Sequence, residues 1–209
     1  MRNIPFFNYP QLYLDNKSEL DYIFQDVSSR GAYIMQKDLI EFEERLADYT
    51  GAKHALGVAN ATDGLQIGLM SKPMKEKGEI IISSHTMMAT ASSIYYAGYK
   101  PVPIDAGNDL MIDYDSIIDN INEKTVAIMP TQLNGRTCDM DRILEIASKY
   151  NLEIFEDAAQ ALGSKFKDKC SGTFGVASAI SFYPAKVLGC LGDGGGVLTN
   201  DTDVYEKML

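Results

Sequence analysis

Between Glu156 and Asn200 the chain carries three runs that could do chemistry together: EDAAQALGS from Glu156, SFYPAK from Ser181, and GDGGGVLTN from Gly192. They supply a carboxylate at a strand end (Asp157), a hydroxyl (Ser181) and an amine beside a glycine-rich turn (Lys186). Those groups match the needs of pyridoxal 5'-phosphate (PLP), which takes an acid at its pyridine nitrogen, hydroxyl and amide donors at its phosphate, and an amine for a Schiff base. Lys186 follows the apolar strand AISFYP and precedes LGCLGDGGG. Desolvation there favours the neutral amine, although a lysine is more often a solvated surface charge.

Asp157 closes LEIFE, and the carboxyl end of a parallel strand is where an α/β sheet opens toward a ligand. A carboxylate there would keep the pyridine nitrogen protonated and the ring electron-withdrawing; its alternative reading is the N-cap of a helix over AAQAL. The turn of Asn60, Ala61, Thr62 and Asp63 lies at a predicted helix start, where unpaired amides and the helix dipole attract an anion, and Thr62 adds a hydroxyl. Ser181, on the strand that delivers Lys186, is a second phosphate donor or a packing residue. GDGGG is not a dinucleotide fingerprint, because its glycine spacing is wrong and the strand-like VLT follows it.

The elements that position these residues are legible in the hydrophobic pattern. Leu39, Phe42, Leu46 and Tyr49 recur at helical steps through Asp38–Tyr49, and Gly51 ends the run. HALGVA reads as a short buried strand, and NATDGLQIGLM as a turn and helix carrying Leu65, Leu69 and Met70, with Asn60 and Thr62 as candidate caps. EIIIS is the continuous β-branched run of a strand buried on both faces. MATASSIYYAG, PVPID, DYDSIIDNI, TVAIMP, DMDRILEIASKY and LEIFE then alternate helix and strand, which implies right-handed crossovers over a mostly parallel sheet. DTDVYEKML begins another helix.

A chain of 209 residues with 45% hydrophobic and 23% charged residues suits one large soluble domain. Nineteen basic against twenty-nine acidic side chains give a net charge of -10, which excludes a broad basic surface for nucleic acid or anionic membrane. Cys138, Cys170 and Cys190 are odd in number and widely spaced, without a CxxC pair or a histidine at ligand spacing, so neither a disulfide framework, a zinc site nor another metal is expected. A reducing cytosol fits best. No run approaches the roughly 20 apolar residues of a membrane span, and the start lacks the pattern of a signal peptide.

On EDAAQALGS, SFYPAK and GDGGGVLTND the chain resembles the DegT/StrS family of sugar aminotransferases, over nearly all its length. The resemblance implies the three-layer α/β/α large domain of the aspartate aminotransferase-like fold over residues 1–209, with the smaller C-terminal domain of the family absent. It implies that Lys186 forms the Schiff base, that Asp157 pairs with the pyridine nitrogen, and that Gln160 bonds the ring hydroxyl. Alone, Gln160 reads equally as a solvated helix residue. Ala61 stands where the family usually has glycine before the phosphate-binding threonine. Met87 takes the place of an aromatic residue over the ring, and its polarizable sulfur can pack there; His85 could substitute, or Met87 and Met88 could be core. Gln132 and Asn134 replace a histidine and an aromatic residue on the substrate side.

The resemblance further implies glutamate as donor and a nucleotide-linked keto-deoxy sugar as acceptor, for amino-sugar and surface polysaccharide synthesis, in a homodimer whose active site lies at the subunit interface. Lysine at position 186 favours this over the dehydratases of the family, which carry histidine. The alternative is a truncated, non-catalytic remnant that folds or binds PLP without turnover.

Overall fold

The computed structural model describes residues 4–209. They form two compact units, one up to Phe42 and one from Glu43 to Leu209. The first contains α1 (Tyr9–Asp15), capped by Asn8, and α2 (Lys17–Arg30), closed by Gly31 in the left-handed region at φ 62°. Neither helix has a buried residue. Arg30 bridges Asp26 and Asp38 at 2.7 and 3.0 Å. The division between the units falls within α3 (Lys37–Thr50), whose Leu46 and Thr50 are buried.

The second unit is built on seven strands in the order β1-β9-β8-β5-β4-β2-β3. These are β1 (His54–Val58), β2 (Glu79–Ser83), β3 (Lys100–Ile104), β4 (Thr125–Met129), β5 (Glu153–Asp157), β8 (Ala177–Ser181) and β9 (Gly195–Thr199). The pairs from β8 through β5, β4 and β2 to β3 are parallel, whereas β9 runs antiparallel to both β8 and β1. The hairpin of β6 (Lys165–Phe166) and β7 (Lys169–Cys170) stands apart.

Alternation along the strands separates two cores. Ile80, Ile82, Met129 and Phe155 face α4 (Ala61–Ser71), α5 (Met88–Tyr96) and α8 (Thr202–Met208), with Leu65, Leu69, Ile94 and Val204 supplied by the helices. Ile81, Ile128 and Ile154 face the opposite layer, where α6 (Tyr114–Asn120) gives Ile117 and α7 (Met140–Tyr150) gives Ile143 and Ile146. Each fully buried isoleucine contributes about 2 kcal/mol of burial free energy. This is the expected α/β/α arrangement with a mostly parallel sheet. Side-chain bonds cap several of the helices that flank the sheet, among them Asn60 to Asp63 N at 2.9 Å, Asp113 to Ser116 N at 2.7 Å and Asp139 to Arg142 N at 3.2 Å.

Two local expectations are corrected. β1 is an edge strand in which only Ala55 is buried, because it has a partner on one side alone. AAQAL forms turns rather than a helix, so Asp157 ends β5 and caps nothing. Among the described residues, no helix is long and apolar enough to cross a membrane.

Candidate active site

The register brings the chemical residues to one end of the sheet. Ser181 on β8 pairs with Gly195 on β9, and Gly195 pairs with Val58 on β1, so the turn leading from β1 into α4 lies beside the exit of β8. Asp157 pairs with Ala179 two residues before Ser181. Asn60, Ala61, Thr62, Asp157, Ser181 and Lys186 therefore leave the sheet at the same end.

Lys186 stands on a loop that folds back on itself. Phe182 N donates to Gly194 O at 2.9 Å, Cys190 N to Phe182 O at 2.8 Å and Lys186 N to Tyr183 O at 2.8 Å. A Cβ on Gly189 would stand 2.4 Å from Pro184 O, so only glycine lets the loop close this tightly. Lys186 is half-buried. Burial pushes its amine below the usual lysine range, and the negative charge of Asp157 opposes that shift.

Asp157 is 4% exposed. Thr90 Oγ1 donates to its Oδ2 at 2.6 Å and Ala159 N to its Oδ1 at 3.1 Å. Burial pushes the carboxyl up, while these two donors and Lys186 pull it down. Each oxygen keeps lone-pair capacity for a further donor.

At the start of α4, Asp63 N is taken by Asn60 Oδ1 and Gly64 N by Asn60 O. The amides of Ala61 and Thr62 have no partner among the described residues and form the open donor pair of a helix N-terminus. Gly195 shapes this place too: a Cβ there would lie 2.6 Å from Asn60 C and 2.9 Å from Ala61 N. Its strand passes against that peptide only because it lacks a side chain. Ser181 is buried, and its Oγ accepts from Tyr183 N at 3.3 Å. A pair of open amides at a helix start, a buried carboxylate with spare lone pairs and a desolvated amine make a set that fits PLP.

Gln160 is half-buried; its Oε1 accepts from Asn134 N at 3.1 Å and its backbone carbonyl from Gly135 N at 2.9 Å. That bond orients the side-chain amide, with Oε1 as acceptor toward Asn134 and Nε2 as its donor group. Met87, 63% exposed, is the N-cap residue of α5 and accepts at its carbonyl from Thr90 N. His85 is tied through Nδ1 to Leu110 O at 3.0 Å.

Gln132 departs from the expected substrate-side position. It is fully buried, donating from Nε2 to Glu156 Oε2 at 2.9 Å and accepting at Oε1 from Cys138 N at 2.7 Å. Glu156 points to the face opposite Asp157 and accepts also from the amides of Gly172, Phe174 and Gly175. Burial pushes its carboxyl up and these donors pull it back.

Sequence reasoning missed three hydroxyls. Thr90 bonds Thr86 at 2.7 Å, and Thr86 bonds Thr131 at 2.8 Å. The signal available was TMMAT, which puts two threonines four residues apart at a helix start. A cleft of about 740 Å³ opens at the opposite end of the sheet, between Lys72, Glu153, Val176 and Asp201. It is remote from these residues.

The family model for the DegT/DnrJ/EryC1/StrS aminotransferase family matches residues 15–209. The chain belongs to this family. Among relatives of this DegT/StrS member, UDP-2-acetamido-2-deoxy-3-oxo-D-glucuronate aminotransferase of Pseudomonas aeruginosa is 39% identical over 189 residues, covering 90% of this chain and 53% of the relative. The crystal structure of S. venezuelae DesV in complex with a ketimine intermediate superposes with a TM-score of 0.94 at 34% identity, over 100% of this chain and 56% of DesV. NtdA of Bacillus subtilis with bound cofactor PMP superposes with a TM-score of 0.92 at 26% identity, over 100% of this chain and 47% of NtdA. PLP is the cofactor of the family. The chain spans about half the length of the curated relatives it matches.

Proposed function

We propose that this chain is the PLP-binding large domain of a cytosolic nucleotide-sugar aminotransferase, homodimeric in its full-length form. It takes an amino group from glutamate and places it on a keto-deoxy sugar carried by a nucleoside diphosphate, for amino-sugar and surface polysaccharide synthesis. The observation that carries this reading is the meeting of Lys186, Asp157 and the open amides of Ala61 and Thr62 at one sheet end.

When bound, PLP supplies a carbonyl that accepts amines and a ring that withdraws electrons from the substrate carbon. The amides of Ala61 and Thr62, the Thr62 hydroxyl and Ser181 hold the phosphate at the positive end of α4. Asp157 receives the pyridine N–H and, by staying charged, keeps that proton on the nitrogen. Gln160 offers Nε2 to the ring hydroxyl, and Met87 offers its thioether to the ring face. Lys186, held toward its neutral form by burial, can take a proton at Nζ and return it, as each half-reaction requires.

The test follows both half-reactions in the protein loaded with PLP. Glutamate alone should yield 2-oxoglutarate in proportion to bound cofactor. A panel of UDP-, GDP- and dTDP-linked keto sugars should then yield an amine detected by mass spectrometry. Bound PLP without amine formation on any sugar would contradict the transferase reading and favour binding alone.

A further inference from the structure

We propose that Thr90 is a positioning residue, the last member of a one-way chain of hydroxyls from Thr131 through Thr86 that holds Asp157 as an oriented carboxylate. Its role in catalysis rests on the reading above, but its effect on Asp157 does not.

The direction of the chain follows from donor and acceptor counting. Asp157 as a carboxylate can only accept, so Thr90 must donate its single hydroxyl proton to Oδ2, at 2.6 Å. Having spent that proton, Thr90 can only accept from Thr86, at 2.7 Å. Thr86 in turn can only accept from Thr131, at 2.8 Å. Three hydroxyl dipoles thus point the same way, toward the negative charge, and each polarises the next. A protonated Asp157 donating through Oδ2 would take that acceptor from Thr90, whose proton would have to turn elsewhere.

The chain joins three places in the fold. Thr131 follows β4 and bridges Asp157 in parallel register, Thr86 lies in the loop after β2, and Thr90 lies in the first turn of α5. Thr90 and Thr131 are buried. A backbone frame holds the same geometry independently: Gln132 N donates to Asp157 O at 2.8 Å, Asp157 N to Pro130 O at 3.1 Å and Thr90 N to Met87 O at 3.1 Å. Valine, close to threonine in shape, can therefore remove one hydroxyl and leave the frame in place.

Few charges compete for control of Asp157. β4, β8 and α5 carry no ionisable side chain other than the tyrosines at the far end of α5. Glu156 is turned to the other face of β5 and held by four N–H donors. Lys186, from the loop after β8, is the charge that acts on Asp157. The hydroxyl chain is the other fixed source of positive potential from a side chain.

The test uses the cofactor-free protein with carbon-13-labelled aspartate, following the Asp157 carboxyl by NMR as pH is varied. Thr90→Val should raise its midpoint by about one pH unit, a tenfold change in proton affinity. Thr90→Ser should keep the wild-type midpoint, and Thr131→Val, whose side chain makes no hydrogen bond to the Asp157 carboxylate, should raise it by less than Thr90→Val. PLP binding should weaken about tenfold in Thr90→Val and recover in Thr90→Ser. A wild-type midpoint in Thr90→Val would overturn the proposal, and a wild-type midpoint in Thr131→Val would overturn the chain. Failure of the wild type to bind PLP would sink the functional reading, while the titration would still decide this one.

Discussion

Asp157 and Glu156 are neighbours on one strand, yet the fold uses them differently because strand alternation turns them to opposite faces. Glu156 is saturated by four N–H donors and ties Gln132 to the 172–175 loop. Asp157 has two donors and an open side. Its burial has a cost with a definite sign. Because the folded carboxyl binds its proton more tightly than the unfolded one, stability falls as pH rises from the unfolded value of 3.8 through the folded value, and the full cost is present above it. Asp157→Asn removes the buried charge, and its amide can serve Thr90 with the hydroxyl chain reversed. In urea unfolding of the cofactor-free protein at pH 7 the variant should be more stable by about 1 to 2 kcal/mol, with the gain shrinking as pH falls toward the unfolded carboxylate value. Turnover with glutamate should be lost. A less stable variant at neutral pH would contradict this account of Asp157.

At the scale of elements, the phosphate end of the site depends on how closely β9 passes the start of α4. Gly195→Ala would put a methyl 2.6 Å from Asn60 C, and backbone cannot swing aside as a side chain can. The expected cost is about 1 to 3 kcal/mol in urea unfolding, with PLP retention weakened by displacement of the Ala61 and Thr62 amides; an unchanged urea midpoint and unchanged retention would refute the close approach. Helices such as DMDRILEIASKY were legible because burial on one face writes a period into the sequence, and strands such as EIIIS because burial on both faces leaves an unbroken apolar run. α1 and α2 bury nothing, so no comparable period marked them, and the β6–β7 hairpin has strands of two residues, too short to write one. Lys186, Asp157 and the α4 turn could be read from local runs. Of the three threonines, the four-residue spacing of Thr86 and Thr90 could be read, but their meeting with Thr131 and Asp157 could not, since it depends on the packing of β4, the β2–α5 loop and α5 against one another. Gln132 was misplaced for a related reason: the family resemblance put it on the substrate side, but its side chain turns to the face of Glu156.

At the scale of the whole molecule, a mostly parallel sheet gathers strand exits at one end, and the Lys186 loop brings the start of the antiparallel β9 against the start of α4 there. Residues far apart in sequence, from Ala61 to Lys186, thereby become one candidate site. The central claim is that this site holds PLP through Lys186. Borohydride reduction of the PLP-loaded chain, followed by peptide mapping, tests it most directly. The account predicts a single stable pyridoxyl modification on the peptide containing Lys186, with none in Lys186→Ala. Modification of another lysine, or equal labelling of Lys186→Ala, would contradict it.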